Sequence, residues 1–203
     1  MKNAAVLAPL LLACAFAAAP AYAAGDVERG KTLSYTCLGC HGIEGYRNAY
    51  PSYRVPKLGG QKAQYIVLAL QGYRDGLRTH PTMQAQAATL SDQDMEDIAA
   101  YLAMLANGTV ESGGTQNVAA IDAAATCVAC HGQNGIAVSP AWPTLAGQHE
   151  SYLVHSLNAY RNGTRKEAVM TQMAVALTDD DVELLARFYA PLAGLETTLP
   201  EPE

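Results

Sequence analysis

The stretch Cys37-Leu38-Gly39-Cys40-His41-Gly42 constrains this chain more than any other, and it returns as Cys127-Val128-Ala129-Cys130-His131-Gly132. C-x-x-C-H is the attachment signature of c-type haem. Two thiols about one helical turn apart each reach one vinyl group of a single porphyrin, and the adjoining imidazole projects at the iron. Other uses of paired cysteines fit less well. A zinc ribbon spaces its pairs by ~15–20 residues, whereas Cys40 and Cys127 are 87 positions apart. A thioredoxin-like pair needs a βαβ setting, and none is evident. A structural disulfide does not call for a histidine after each pair. The expectation is two covalently bound haem c groups, one on Cys37 and Cys40, the other on Cys127 and Cys130, with His41 and His131 as proximal iron ligands.

The rest of the chain reads as helical. It is 50% hydrophobic but only 16% charged, and alanine rather than valine or isoleucine dominates, which favours helix over sheet. The chain begins Met1-Lys2-Asn3, followed by an apolar run from Ala4 to Ala19 and then Ala21-Tyr22-Ala23. A basic start, a short apolar core and an A-x-A end describe a cleaved secretory signal over 1–24, too short for a membrane span. Leu11-Leu12-Ala13-Cys14 loosely resembles a lipoprotein cleavage site, but the apolar run continues past it. Export suits the motifs, because c-type haem is attached outside the bacterial plasma membrane. With Cys14 removed, the four remaining cysteines all lie in the two motifs.

The motifs belong to a larger repeat. Pro56-Lys57-Leu58-Gly59-Gly60-Gln61 matches Pro143-Thr144-Leu145-Ala146-Gly147-Gln148, and Tyr73-Arg74-Asp75-Gly76 matches Tyr160-Arg161-Asn162-Gly163, each offset by 87. The motifs are offset by 90, so one loop is three residues shorter in the second half, a change loops absorb readily. The chain therefore divides into a signal (1–24), a first small domain (25–106), a Gly/Ser/Thr-containing linker (107–117) and a second domain (118–203) whose tail from Glu196 is expected to fray. A first helix from about Asp26 to Tyr35 should deliver the motif at its end. A second should run from Gly60-Gln61 to Arg74 with Tyr65, Leu68, Ala69 and Gly72 on one face. The last helices should start at Ser91 and Thr178, each followed by acidic residues, and bury Ile98, Tyr101, Leu102 and Leu105, or Leu184, Leu185 and Phe188. Domains of ~80 residues have thin cores, so the haem-free chain is expected to fold poorly.

The repeat also nominates the sixth ligands. Met83 and Met170 each lie seven residues before the leucine that precedes the helix cap. Met173 is a rival in the second domain, but its counterpart is Gln86. His80, His149 and His155 pair with Glu167, Lys62 and Leu68, so no further histidine recurs. His/Met ligation closes the iron and raises its reduction potential. Pro56 and Pro143 stand where a carbonyl can accept a hydrogen bond from each proximal imidazole. Arg74 and Arg161 are candidates to pair with propionates, with Tyr65, Tyr73, Tyr152 and Tyr160 as hydroxyl donors. Trp142 is expected to pack on the second haem.

Together, the tandem C-x-x-C-H-G modules, P-x-L-x-G-Q before an aromatic helix, a methionine seven before L-S-D, and Asp97-Ile98-Ala99-Ala100-Tyr101 resemble the dihaem cytochrome c4 family. The resemblance implies an all-α chain of two tandem class I cytochrome c domains, related by a pseudo-twofold axis with propionates facing one another. It further implies a monomeric periplasmic electron carrier, loosely membrane-associated, between the quinol–cytochrome c oxidoreductase and a haem-copper terminal oxidase. The tyrosine-rich loop Tyr46-Arg47-Asn48-Ala49-Tyr50-Pro51-Ser52-Tyr53-Arg54 departs from its shorter partner.

Charge separates the halves. Residues 25–106 hold eight Lys/Arg and eight Asp/Glu; residues 107–203 hold four and eleven. Such a dipole suits different partners at the two ends, and the lack of a basic stripe argues against nucleic acid. A dihaem peroxidase or a thiosulfate-oxidising dehydrogenase would need an open iron or a spare cysteine ligand, so a carrier or a redox subunit of a larger complex fits better than an enzyme. Mass spectrometry of the exported chain should find two covalently held macrocycles.

Overall fold

The computed structural model describes residues 25–106 and 124–197. The signal segment, the linker and the start of the second domain lie outside them. Every regular element among the described residues is a helix, with only isolated β-bridges besides. The first half carries α1 (Val27–Leu33), α2 (Tyr35–His41), α3 (Ala63–Arg74), α4 (Pro81–Ala87) and α5 (Asp92–Met104). The second carries α6 (Val128–His131), α7 (Glu150–Arg161), α8 (Ala168–Val175) and α9 (Asp179–Tyr189).

The last helix of each half starts as its sequence directs. Ser91 and Thr178 form full capping boxes with Asp94 and Asp181, each pair satisfying two otherwise orphaned backbone N–H groups. At the chain start the expected single helix is two. Ser34, with ψ of −4°, swings the axis, so the haem motif rides on its own short helix α2 instead of ending α1.

Two buried faces differ from expectation. α3 buries Ile66, Val67 and Leu70 against α5 and Gly72 against Arg78, while Leu68 is 42% exposed. Its sequence is apolar nearly all round, so the packing partner chose among several possible stripes. α9 buries Val182, Leu185, Ala186 and Tyr189, and Leu184 is 41% exposed. α5 buries Ile98, Tyr101 and Leu102 as expected, with Met95 fully inside and Met104 on the surface.

Loops join the halves with reciprocal hydrogen bonds, and α3 and α7 add side chains to the same seam. Gln61 Nε2 donates to the Thr144 carbonyl (3.0 Å) while Thr144 N–H donates to Gln61 Oε1 (2.9 Å). Gln148 Nε2 donates to the Lys57 carbonyl and Lys57 N–H to Gln148 Oε1, both at 3.0 Å. Both glutamines are 4% exposed. Further along the same seam, Thr79 N–H donates to Thr164 O and Lys166 N–H to Leu77 O, flanking an antiparallel bridge between Arg78 and Arg165. The tyrosine-rich loop joins this seam: Tyr53 is buried and stacks on His155 at 3.9 Å between centroids. Glu196, expected to fray, instead exchanges backbone hydrogen bonds with Gly59 of the first half.

Inside the first half, α1 is locked onto α5. A Cβ on Gly30 would stand 2.0 Å from the Asp97 carbonyl oxygen, so only glycine permits this approach. Asp97, 1% exposed, receives hydrogen bonds from the Asp26 amide, Gln93 and Arg29. Burial alone would raise its pKa, but the bonds from Gln93, the Asp26 amide and Arg29 outweigh burial and hold it below the usual carboxylate value. A depressed folded pKa stabilises the fold above the unfolded-state value, and that stability is lost as pH falls through the folded value. Asp97→Asn should therefore cost about 1–3 kcal/mol at neutral pH and flatten the acid limb of the stability curve, as read by denaturant titrations at pH 7 and at about pH 2.

Candidate haem sites

Each half assembles one constellation. In the first, α2 sets Cys37 and Cys40 one turn apart with His41 next in line, and Cys37, Leu38, Leu58 and Met83 all pack on the core made by α3 and α5. In the second, Cys127 caps α6, which carries Cys130 and His131, and Cys127 and Leu145 pack with Leu153 and Leu185. All four motif cysteines are partly buried. Burial pushes the Cys37 and Cys127 thiols above their ordinary value.

The two histidines are oriented as the proline carbonyls require. His41 Nδ1 lies 2.8 Å from the Pro56 carbonyl oxygen and His131 Nδ1 lies 2.9 Å from that of Pro143. A carbonyl only accepts, so Nδ1 carries the proton and Nε2 keeps a free lone pair. Burial lowers the pKa of both rings, with the proline carbonyls pulling the other way. A neutral imidazole with Nε2 unprotonated is the state in which histidine binds a metal.

Met83 and Met170 occupy equivalent, half-buried places on α4 and α8. Their helices are capped differently. His80 Nδ1 accepts from Met83 N–H at 3.3 Å, whereas the Glu167 carboxylate accepts from Met170 N–H at 2.7 Å and from Val169 N–H. His80 is thus a helix cap with its Nδ1 already engaged. Met173 sits one turn beyond Met170 and is 45% exposed.

One expectation needs correction. Arg74 and Arg161 are tied to their own domains: Arg74 pairs with Asp92 and Asp75, and Arg161 with Asp179 and the Leu177 carbonyl. Trp142 is 40% exposed on its loop. The arginines that face the seam are Arg78 and Arg165, each nearly buried. Arg78 lies over the Tyr73 ring and donates to Tyr152 OH across the boundary; Arg165 lies over Tyr160 and donates to Tyr65 OH. The four predicted tyrosines therefore converge, but on these arginines. Burial would raise the Tyr152 phenol, yet the two guanidiniums pull it below its ordinary value. The sequence did hold the signal: Arg78 and Arg165 follow Gly76 and Gly163 at the same 87-residue offset.

The donor set fits haem c. Among the described residues no three His, Cys, Asp or Glu converge to hold a bare metal ion, so the two cysteine pairs do not build a shared zinc site. Two buried guanidiniums stand without a carboxylate partner among the described residues, and Arg78 Nε has no hydrogen-bond acceptor. Buried cations require anions, and each haem brings two propionates to a site of this kind.

Comparison with known proteins agrees. The family profile described as Cytochrome c matches residues 27–106 and again 116–190. The chain is 36% identical over 176 residues to a "thiosulfate dehydrogenase electron acceptor" of Stutzerimonas stutzeri, covering 79% of this chain and 81% of that one. It is 31% identical to cytochrome c4 of Pseudomonas aeruginosa, covering 85% of this chain and 91% of the relative. The crystal structure of reduced recombinant cytochrome c4 from Pseudomonas stutzeri superposes with a TM-score of 0.64 at 29% identity, over 83% of this chain and all of that one. With two haem motifs, two matching segments and this likeness in fold, the chain belongs to the cytochrome c family as a dihaem electron carrier of the cytochrome c4 type.

Proposed function

We propose that this carrier works in the periplasm, taking electrons from a quinol–cytochrome c oxidoreductase and delivering them to a terminal oxidase. The observation that supports the reading is that each half offers the same set: two cysteines, an imidazole held by a proline carbonyl, and a methionine on the next helix but one. Bound haem supplies a one-electron iron couple at each site. Cys37 and Cys40, and Cys127 and Cys130, fix the macrocycles covalently. His41 with Met83, and His131 with Met170, would hold the iron of each site, and a site with both ligands would leave no position for oxygen or peroxide. Thioether ligation favours the reduced iron and so sets a high potential. Arg78 and Arg165, buried at the seam without carboxylate partners among the described residues, would balance propionate charge there.

The charge difference between halves directs docking. The second half, with its excess of acidic residues, meets a basic redox partner, and the balanced first half meets another. A second reading is favoured by the relative named a thiosulfate dehydrogenase electron acceptor: the donor is then a thiosulfate-oxidising enzyme and this chain its acceptor. Stopped-flow reduction by each purified donor separates the two readings, and reduction by neither donor at a useful rate would refute both.

Met83→His and Met170→His should each lower one of two potentials by on the order of 100 mV, within the ~0.8 V that axial ligands span, and leave the other nearly unchanged. Redox titration of both variants checks this. A variant in which neither step is lowered would show that another residue holds that sixth position.

A further inference from the structure

The hydrogen bond that holds each axial histidine does not end at the proline carbonyl. A peptide group joins that carbonyl to the next residue's N–H, and in both halves this N–H is held by the other domain. Pro143 O receives His131 Nδ1–H, and the Thr144 N–H of the same peptide donates to Gln61 Oε1 at 2.9 Å. Pro56 O receives His41 Nδ1–H, and the Lys57 N–H of that peptide donates to Gln148 Oε1 at 3.0 Å. Each glutamine returns a bond through Nε2 to the carbonyl of the same residue, Thr144 or Lys57.

The glutamines are held firmly enough to act. Oε1 of Gln61 also accepts from Lys62 N–H, and Oε1 of Gln148 from His149 N–H. An atom receiving two N–H groups must be the oxygen, which fixes the orientation of both amides. Gly60 and Gly147 precede them at φ of +76° and +77°, a turn that L side chains rarely adopt. The repeated P-x-L-x-G-Q thus has a division of labour: proline gives the carbonyl to its own histidine, and glycine turns the loop so that glutamine reaches the other domain's proline peptide.

We propose that Gln61 and Gln148 are positioning residues acting across the domain boundary, each strengthening the axial-histidine hydrogen bond of the haem site in the opposite domain and thereby lowering that site's reduction potential. This rests on His41 and His131 being the axial ligands. A peptide whose N–H is donated to a good acceptor carries more negative charge on its carbonyl, because linked hydrogen bonds polarise one another. A more negative Pro143 O draws the Nδ1 proton of His131 and makes its imidazole a stronger donor to iron through Nε2. A stronger donor favours the oxidised metal. Opening the seam would weaken both relays at once, so each centre responds to whether the domains are closed on one another.

The test uses the haem-loaded protein. Gln61→Met keeps chain length and bulk but removes both hydrogen bonds to Thr144; Gln148→Met does the same at Lys57. Met83→His and Met170→His assign the two redox steps and the two axial-methionine methyl signals in proton NMR of the reduced form. Gln61→Met should raise the step of the second-domain haem by about threefold in the reduced-to-oxidised ratio at fixed potential, or ~30 mV at 59 mV per tenfold, and should speed exchange of the His131 Nδ1 proton. Gln148→Met should do the same to the first-domain haem and His41. Gln61→Glu, which keeps an acceptor for Thr144 N–H, should not raise the second-domain step; this comparison stands if the methionine variants load haem poorly. Equal shifts of both steps, a shift confined to the mutated domain, or no shift would overturn the proposal. Failure of the ligand assignment looks different: Met83→His and Met170→His would then each leave both methyl signals in place.

Discussion

The structure turns on one peptide group in each half, the one between Pro56 and Lys57 and the one between Pro143 and Thr144. Its carbonyl orients the imidazole of its own domain and its N–H is held by the glutamine of the other. Because a carbonyl cannot donate, this contact fixes the tautomer of each histidine and leaves Nε2 for iron. Because buried amides must be paired, it also fixes how the halves sit. The local geometry of the ligand and the docking of two domains are thereby one problem with one solution.

This explains how two domains with little apolar mass make a single body. Their seam is polar: paired glutamines, backbone bridges, and guanidiniums lying on tyrosine rings. Polar groups buried in such numbers hold the structure only if nearly all are satisfied. The exceptions, above all Arg78 Nε and the absence of carboxylates opposite the two arginines among the described residues, leave cations for which haem propionates would be fitting partners. With propionates there, covalent haem and domain association would reinforce each other.

The duplication is symmetric in the histidines and their proline carbonyls, the paired glutamines and the arginine–tyrosine pairs, and has drifted elsewhere. His80 caps the methionine helix in one half and Glu167 in the other. Asp97 locks α1 to α5 in the first half, while its counterpart, Leu184, is exposed. Tyr53 and His155, neither of which recurs, stack on each other and pin the extra loop to the second domain. Such differences give the two centres unequal surroundings without altering the scaffold that holds them.

The sequence alone determined what is local or periodic: two attachment motifs, the repeat and its offset, the capping boxes at Ser91 and Thr178, and the proline carbonyls behind the histidines. These follow from short spacings along the chain, which chemistry reads directly. It misassigned the buried faces of α3 and α9, because several apolar stripes were available and only the packing partner selects one. It paired the propionates with Arg74 and Arg161, which satisfy aspartates in their own domains, and passed over Arg78, Arg165 and the roles of Gln61 and Gln148, although all recur in the repeat. Those assignments depend on which residues of the two copies face each other across the seam. A repeat shows that two positions are equivalent; only the tertiary structure decides that each reaches into the other's half.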